Sequence, residues 1–374
     1  MTSRSRRSAR ATAGIVALAG LLLACTPGVG TAAVRQRPNV AQVFDNADPA
    51  VLVDAGRTYL FGSSNNTRVP VRIISSFGAS LESSKYDWDR NPRDAMPSRP
   101  AWVDPGESDI WAPSVIKIGN QFVMYFAAHN VAATTDEAND QCIGRSFASN
   151  PMGPYAPEGG PIYCGLTPEG SGHGLPASNR FGRGVLDPEV FRAANGALYM
   201  VAAFSRTGAN IGSVALTSDG RVVGGLNAAP GVLANQSMPW HDGTDDGTSN
   251  GGFLENPTMV YEPNTRSYLL FYSAGDWYSD RYNTSFSRCA SPTGPCTQDT
   301  RGPFLVGGNG RVGPGGMTIF RAPDGGLKVA YASWEQNRTL GYPNPIGLYS
   351  RRTHWANLQV GATSDPAQQF IALG

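Results

Sequence analysis

The chain is poor in lysine, in histidine and in helical periodicity, and each shortage removes a class of explanation. Only Lys85, Lys117 and Lys328 are lysine among 30 basic residues. That arginine bias suits a GC-rich coding sequence, and no basic stripe points to nucleic acid. Four histidines, His129, His173, His241 and His354, and the lack of any CxxC spacing leave no strong metal or redox signature. The N-terminal apolar run, Ala11 to Ala24, is too short to cross a bilayer. Few windows show a helical period. What abounds is Gly (45) and Pro (28), as many short strands and tight turns require.

The first ten residues hold Arg4, Arg6, Arg7 and Arg10 with no acid, and the apolar run follows, which is the layout of an export signal over residues 1–33. Two cleavage readings compete. Leu22-Leu23-Ala24-Cys25 has the form of a lipobox, which makes Cys25 a lipidation site, and Thr31-Ala32-Ala33 suits ordinary cleavage. The expected location is therefore extracellular or cell-surface, with a lipid anchor under the first reading. Four of the 30 basic residues leave with the signal, so 26 face 29 acids in residues 34–374, a net charge of −3. Cys142, Cys164, Cys289 and Cys296 remain, an even number that implies two disulfides in an exported chain. Three pairings are open; joining Cys142 to Cys164 and Cys289 to Cys296 needs the least chain reorganisation.

Five stretches repeat one pattern: Asp48 to Ser64, Trp111 to His129, Asp187 to Phe204, Glu255 to Ala274 and Gly316 to Trp334. Each reads as a short apolar strand, a Gly or Asn turn, and a second strand rich in Tyr, Phe or Leu. Their starts are 63, 76, 68 and 61 residues apart. An all-β chain with such a period is expected to form a five-bladed β-propeller over residues 34–374, a single domain. The long polar segments Cys164 to Leu186 and Gly220 to Leu254 are expected around the mouth of its central cavity.

In a propeller the first strand of each blade lines the axis, so equivalent positions converge. Aligning Val51-Leu52, Val115-Ile116, Val190-Phe191, Met259-Val260 and Ile319-Phe320 puts Asp48, Asp187 and Gly316 at one level. Trp111 and Glu255 fall one residue nearer the strand start. A lone Asp-Pro is usually a turn initiator. Three carboxylates in one enclosed funnel repel one another and shift each other's pKa, an arrangement suited to charge-using chemistry.

The motifs Asp48-Pro49, Trp111-Ala112-Pro113, Leu186-Asp187-Pro188 and Glu255-Asn256-Pro257, in this order and spacing, resemble glycoside hydrolase family 43. Ala148 to Tyr155 and Ala290 to Pro295 resemble that family's outer-strand turns. The resemblance covers about Asn46 to Trp334. It implies an inverting hydrolase of arabinofuranosyl or xylosyl bonds, with Asp48 as general base, Glu255 as general acid, and Asp187 holding Glu255 and raising its pKa. Such a site needs its two working carboxyls roughly 6.5–9.5 Å apart. Trp111 is either the wall on which a sugar packs or ordinary core. The family often places a histidine beside a central calcium in the fifth repeat, where this chain has Gly313-Pro314-Gly315-Gly316. No cofactor is then required, and calcium held by carboxylate and carbonyl oxygens stays an alternative. The expected partner is a carbohydrate substrate, with no nucleic acid, and the chain is expected to act as a monomer. Two other readings stand beside this one. The first is a carbohydrate-binding propeller without turnover, motivated by the missing histidine. The second is a fructan-acting relative, which lacks here its Asn-Asp-Pro-Asn-Gly-type start.

Overall fold

The computed structural model describes residues 46–64, 67–74, 93–106, 109–131, 141–164, 184–204, 210–241, 254–277, 279–308, 310–335, 351–361 and 371–373. The export segment with Cys25, and His173, lie outside these residues. Blade 1 comprises β1 (Ala50–Asp54), β2 (Arg57–Phe61), β3 (Pro70–Ile74) and β4 (Arg93–Asp94). Blade 2 comprises β5 (Trp111–Ile118), β6 (Gln121–His129), β7 (Gln141–Ala148) and β8 (Ala156–Pro157), with β9 (Tyr163–Cys164) also paired to β7. Blade 3 is β10 (Val185–Arg192), β11 (Leu198–Phe204), β12 (Asn210–Ala215) and β13 (Gly231–Asn235). Blade 4 is β14 (Leu254–Glu262), β15 (Ser267–Ala274), β16 (Asn283–Cys289) and β17 (Cys296–Gln298). Blade 5 is β18 (Arg311–Arg321), β19 (Leu327–Glu335), β20 (Arg352–Val360) and β21 (Ile371–Leu373). Each blade is an antiparallel meander, and the first strands pack in the order β1, β5, β10, β14, β18 and back to β1. The five-bladed propeller read from the repeat is the fold.

The second strands read as continuous apolar runs because both of their faces are covered. On β6, Phe122, Met124 and Phe126 pack toward blade 1, whereas Val123 and Tyr125 pack toward blade 3. On β15, Leu270 and Tyr272 face blade 3, and Leu269 and Phe271 face blade 5. The two-residue period of a strand thus sorts alternate side chains into two inter-blade cores. The ring closes between blades 5 and 1 through smaller clusters around Trp355, whose indole meets Phe320 edge-on at 5.6 Å. The Asn46 N–H donates to the Arg351 carbonyl at 3.1 Å, fastening the start of blade 1 to blade 5.

Both disulfides take the local pairing, Cys142 with Cys164 and Cys289 with Cys296. Each joins residues directly opposite on antiparallel partners, β7 with β9 and β16 with β17. One expectation is corrected. The segment from Gly220 does not simply ring the cavity mouth: it contains β13, whose Leu233 and Ala234 bury themselves in the core between blades 3 and 4. Gly220 itself accepts a hydrogen bond from the Tyr125 hydroxyl at 2.7 Å. Apolar residues inside a polar segment decided its place.

Candidate active site

The first strands share a feature that alignment of apolar pairs does not display. Asp48, Ala112, Asp187, Asn256 and Gly316, one per blade and each three residues before the aligned pair, all have left-handed backbone, with φ of 49°, 42°, 52°, 49° and 60°. For a residue with a Cβ this conformation costs on the order of 1–2 kcal/mol. In blades 2 to 5 the ladder to the second strand shifts register at this point. The bulge turns the local backbone out of the sheet and re-aims side chains, as bulges beside active sites do. A ring of five left-handed residues, four of them in bulges, therefore delivers Asp48, Asp187 and the neighbour of Glu255 to one level.

Side chains from adjoining blades hold the ring. Ser63, just beyond β2, donates to Oδ2 of Asp48 and accepts the Ala112 N–H at 2.8 Å. Asp187 accepts the Asn256 N–H at 2.9 Å. Ser273 on β15 accepts the Gly316 N–H at 2.8 Å. Ser63 and Ser273 occupy the same phase of their blades, two residues past Phe61 and Phe271, which pair with Ala50 and Thr258 of one ring level. The repeated serine is legible in the sequence once the second strands are aligned as well as the first.

Glu255 stands one residue before the ring. Its Oε1 accepts a hydrogen bond from the Tyr282 hydroxyl at 2.6 Å, and that same hydroxyl oxygen receives the Asn256 side-chain amide at 3.3 Å. The glycines of blade 5 make room for this tyrosine. A Cβ on Gly315 would lie 2.1 Å from Tyr282 Cε1, and one on Gly316 3.3 Å from Oδ1 of Asp48. Gly313 to Gly316, which stands where the family named by the resemblance often has a histidine, thus leaves room for the group that positions Glu255.

Burial separates the three carboxylates. Asp48 and Glu255 keep partly exposed surface, whereas Asp187 is 8% exposed. Burial, then the like charges of Glu255 and Asp48, push the Asp187 carboxyl well above the ordinary range against the pull of the Asn256 N–H. Burial raises Glu255 to about 7; Asp48 and Asp276 add to this, and Tyr282 and Arg351 oppose it. The Asp187 and Glu255 pair therefore retains a proton near neutral pH, since both cannot ionise together in one buried site. Arg351 is itself clamped, its guanidinium 4.6 Å from the Trp277 ring centre and 5.4 Å from that of Trp334. These two indoles stack at 6.2 Å. Neither Arg351 nor Tyr282 belongs to the repeated hairpin pattern, so sequence periodicity carried no signal for them.

Trp111 precedes Ala112 on β5, stays partly exposed, and meets His129 edge-on at 4.8 Å. A cavity of about 260 Å³ follows the axis, lined by the first strands from Asp48, Ala112, Asp187, Asn256 and Gly316 to Arg192 and Arg321. Glu255 and Trp111 are not among its lining residues; they sit one residue before it. Inside it lies Glu189, which burial raises to about 8 even though Thr258, Thr318 and the Met259 N–H donate to it. Calcium needs several oxygen ligands converging on one point. Among the described residues no group of three or more His, Cys, Asp or Glu side chains is arranged to hold a metal. The Glu189 oxygens are engaged by Thr258, Thr318 and the Met259 N–H.

A ring of bulged strands that gathers two open carboxyls and one buried carboxyl at the end of a propeller channel defines a site for acid–base chemistry. The chain belongs to glycosyl hydrolases family 43, whose model matches residues 38–353. It is 26% identical over 261 residues to the extracellular endo-α-(1→5)-L-arabinanase of Thermotoga petrophila, covering 66% of this chain. The chain spans about half the length of that curated relative, 50% of it. Among solved structures it resembles an α-L-arabinofuranosidase from Lactobacillus brevis, at 18% identity and TM-score 0.63 over 89% of this chain and 94% of the other. A Cellvibrio cellulosa α-L-arabinanase complexed with arabinohexaose matches at 16% identity and TM-score 0.60, over 89% and 96% of the two chains. At these identities the structures speak for the fold.

Proposed function

We propose that this protein is an exported glycosidase that hydrolyses arabinofuranosyl bonds, with xylosyl bonds as the second substrate class, and inverts the anomeric carbon. The observation that carries this reading is the division of labour among the carboxyls: two reach solvent, and the third is buried beside Glu255, which burial and like charge raise to about 7. A general acid must carry its proton at working pH while a general base must not.

In this mechanism Asp48, oriented by Ser63, takes a proton from a water as the water oxygen bonds to the anomeric carbon. Glu255 delivers its proton to the glycosidic oxygen as the bond from that oxygen to the anomeric carbon breaks. Oε1 of Glu255 already accepts from Tyr282, so the transferable proton is assigned to Oε2. Asp187 keeps the pair protonated, and the exposed face of Trp111 forms an apolar wall for the sugar ring. One water is consumed, and the proton gained by Asp48 is balanced by the one Glu255 recovers before the next turnover. The arabinanase relative, an extracellular protein by its name, supports both the sugar preference and the export reading.

The test is a panel of nitrophenyl arabinofuranoside, nitrophenyl xyloside and debranched arabinan, read by released sugar. Turnover of the arabinose substrates is expected. Calorimetric binding of arabinan without turnover of any panel member would replace the enzyme by a carbohydrate-binding propeller.

A further inference from the structure

The bulges at Asp187 and Asn256 need support that their own blades do not give. The ladders β10·β11 and β14·β15 shift register between Leu186 and Glu189 and between Glu255 and Thr258. Pro188 and Pro257, in the middle of those gaps, have no N–H to donate. Support comes across the blade boundary as two rungs. The upper rung is Asn256 N–H to Asp187 Oδ2 at 2.9 Å. The lower, two residues further along both strands, is the Thr258 hydroxyl to Glu189 Oε1 at 2.7 Å. Thr258 Oγ1 in turn accepts the Ile319 N–H of blade 5 at 3.0 Å, and Thr318 donates to Glu189 Oε2 at 3.4 Å. Glu189 therefore joins blades 3, 4 and 5 directly beneath the residues that set Asp187 and Glu255.

The same level can be followed around the channel. Ala50, Ser114, Glu189, Thr258 and Thr318 are each one residue before the aligned apolar pair, and all but Thr258 line the cavity. Ser114 holds the Val190 N–H at 3.0 Å, so blades 2 and 3 are laced by the same device. Glu189 is the one carboxyl of this ring, and the acid–base scheme leaves it without a task.

We propose that Glu189 is a positioning residue for the acid half of the site: its carboxyl fixes the lower rung, the lower rung fixes the Asp187–Asn256 rung, and that contact sets where Glu255 points. The inference rests on the acid role proposed for Glu255. Burial keeps Glu189 neutral up to about 8, so it performs this task without adding a negative charge beneath Asp187.

The experiment compares Glu189→Ala and Glu189→Gln with the parent enzyme on debranched arabinan and on an aryl arabinofuranoside with an activated leaving group. A displacement of about 1 Å at a reacting group costs on the order of a hundredfold. Glu189→Ala is therefore expected to lose about ten- to a hundredfold in kcat on arabinan with KM little changed, and to lose far less on the activated substrate, whose departure needs little protonation. Glu189→Gln keeps an acceptor for Thr258 and is expected to restore most of the rate. Titration of Glu255 by carbon NMR on glutamate-labelled protein gives a readout independent of turnover. Its midpoint is expected to fall toward the ordinary glutamate value in Glu189→Ala and to hold in Glu189→Gln. Should Glu189→Ala not fold, Thr258→Val removes the donor of the lower rung at nearly constant volume and is expected to act alike. A folded Glu189→Ala protein with parental kcat on arabinan and an unmoved Glu255 titration overturns the proposal, as does a change confined to Tm. If the parent enzyme turns over nothing, the proposed hydrolysis fails, and the Glu255 titration alone decides the role of Glu189.

Discussion

The two walls of the site are built differently. On the side of blades 1 and 2, Asp48 accepts a hydrogen bond from the Ser63 hydroxyl and keeps a partly exposed surface. On the side of blades 3, 4 and 5, Glu255 and Asp187 share a web that includes Tyr282, Asn256, Ser273, Glu189 and two threonines. A base needs access to water and to its own negative charge. An acid needs a surrounding that makes its negative charge expensive, and burial together with neighbouring carboxyls supplies it. Strand starts that share one left-handed residue give opposite protonation habits because the groups around them differ.

Removing the working group of each wall should break this contrast most severely. Asp48→Asn is expected to cost on the order of a thousandfold in kcat on every substrate, since an amide cannot take the water's proton as the carboxylate does. Glu255→Gln is expected to cost about as much on arabinan but to spare activated aryl glycosides. Equal loss on both substrate types would remove Glu255 from the acid role.

Smaller changes sharpen the comparison by moving the pH profile. The parent enzyme's basic limb should fall near the Glu255 value of about 7. Asp187→Asn removes the carboxyl that shares a proton with Glu255, so Glu255 no longer loses the second, harder proton of a coupled pair, and the limb is expected to move downward. Tyr282→Phe removes a donor that favours ionised Glu255, so the limb should move upward, with roughly a tenfold loss of kcat as Glu255 loses its anchor. A limb unmoved in Asp187→Asn would make that residue purely structural.

The mildest effect concerns stability. Glu189 and Glu255 keep protons in the fold that the unfolded chain releases above its ordinary value of 4.5. For an acid whose pKa rises on folding, stability is lost as pH climbs from the unfolded value through the folded one. Tm is therefore expected to drop by about 2–5 °C between about pH 5 and pH 8, and Glu189→Gln should flatten the decline. A melting curve insensitive to pH in both proteins would contradict the burial of these protons.

Periodicity made the propeller legible. Five hairpins with apolar second strands demand cover on both faces, and adjoining blades give it. The same phase argument located Asp48 and Asp187 at one level and Glu255 one residue away, because equivalent positions of repeated strands converge on an axis. Ser63 and Ser273 were accessible to that reasoning and needed only an alignment of the second strands as well as the first. Tyr282 and Arg351 were not. They act on Glu255 from segments that lie outside the shared pattern, and only three dimensions bring them together. Glu189 was hidden for another reason: a carboxylate beside Asp-Pro reads as solvated turn, and its burial depends on hydroxyls from two other blades.

The stereochemistry of the first-formed sugar tests the central claim that Asp48 and Glu255 act as base and acid across a water-filled gap. Proton NMR of the anomeric signals in the first moments of arabinofuranoside hydrolysis, before mutarotation, reads it directly. Appearance of the inverted hemiacetal is the expected result; a product that retains the substrate's configuration would contradict the pairing of these two carboxyls through water.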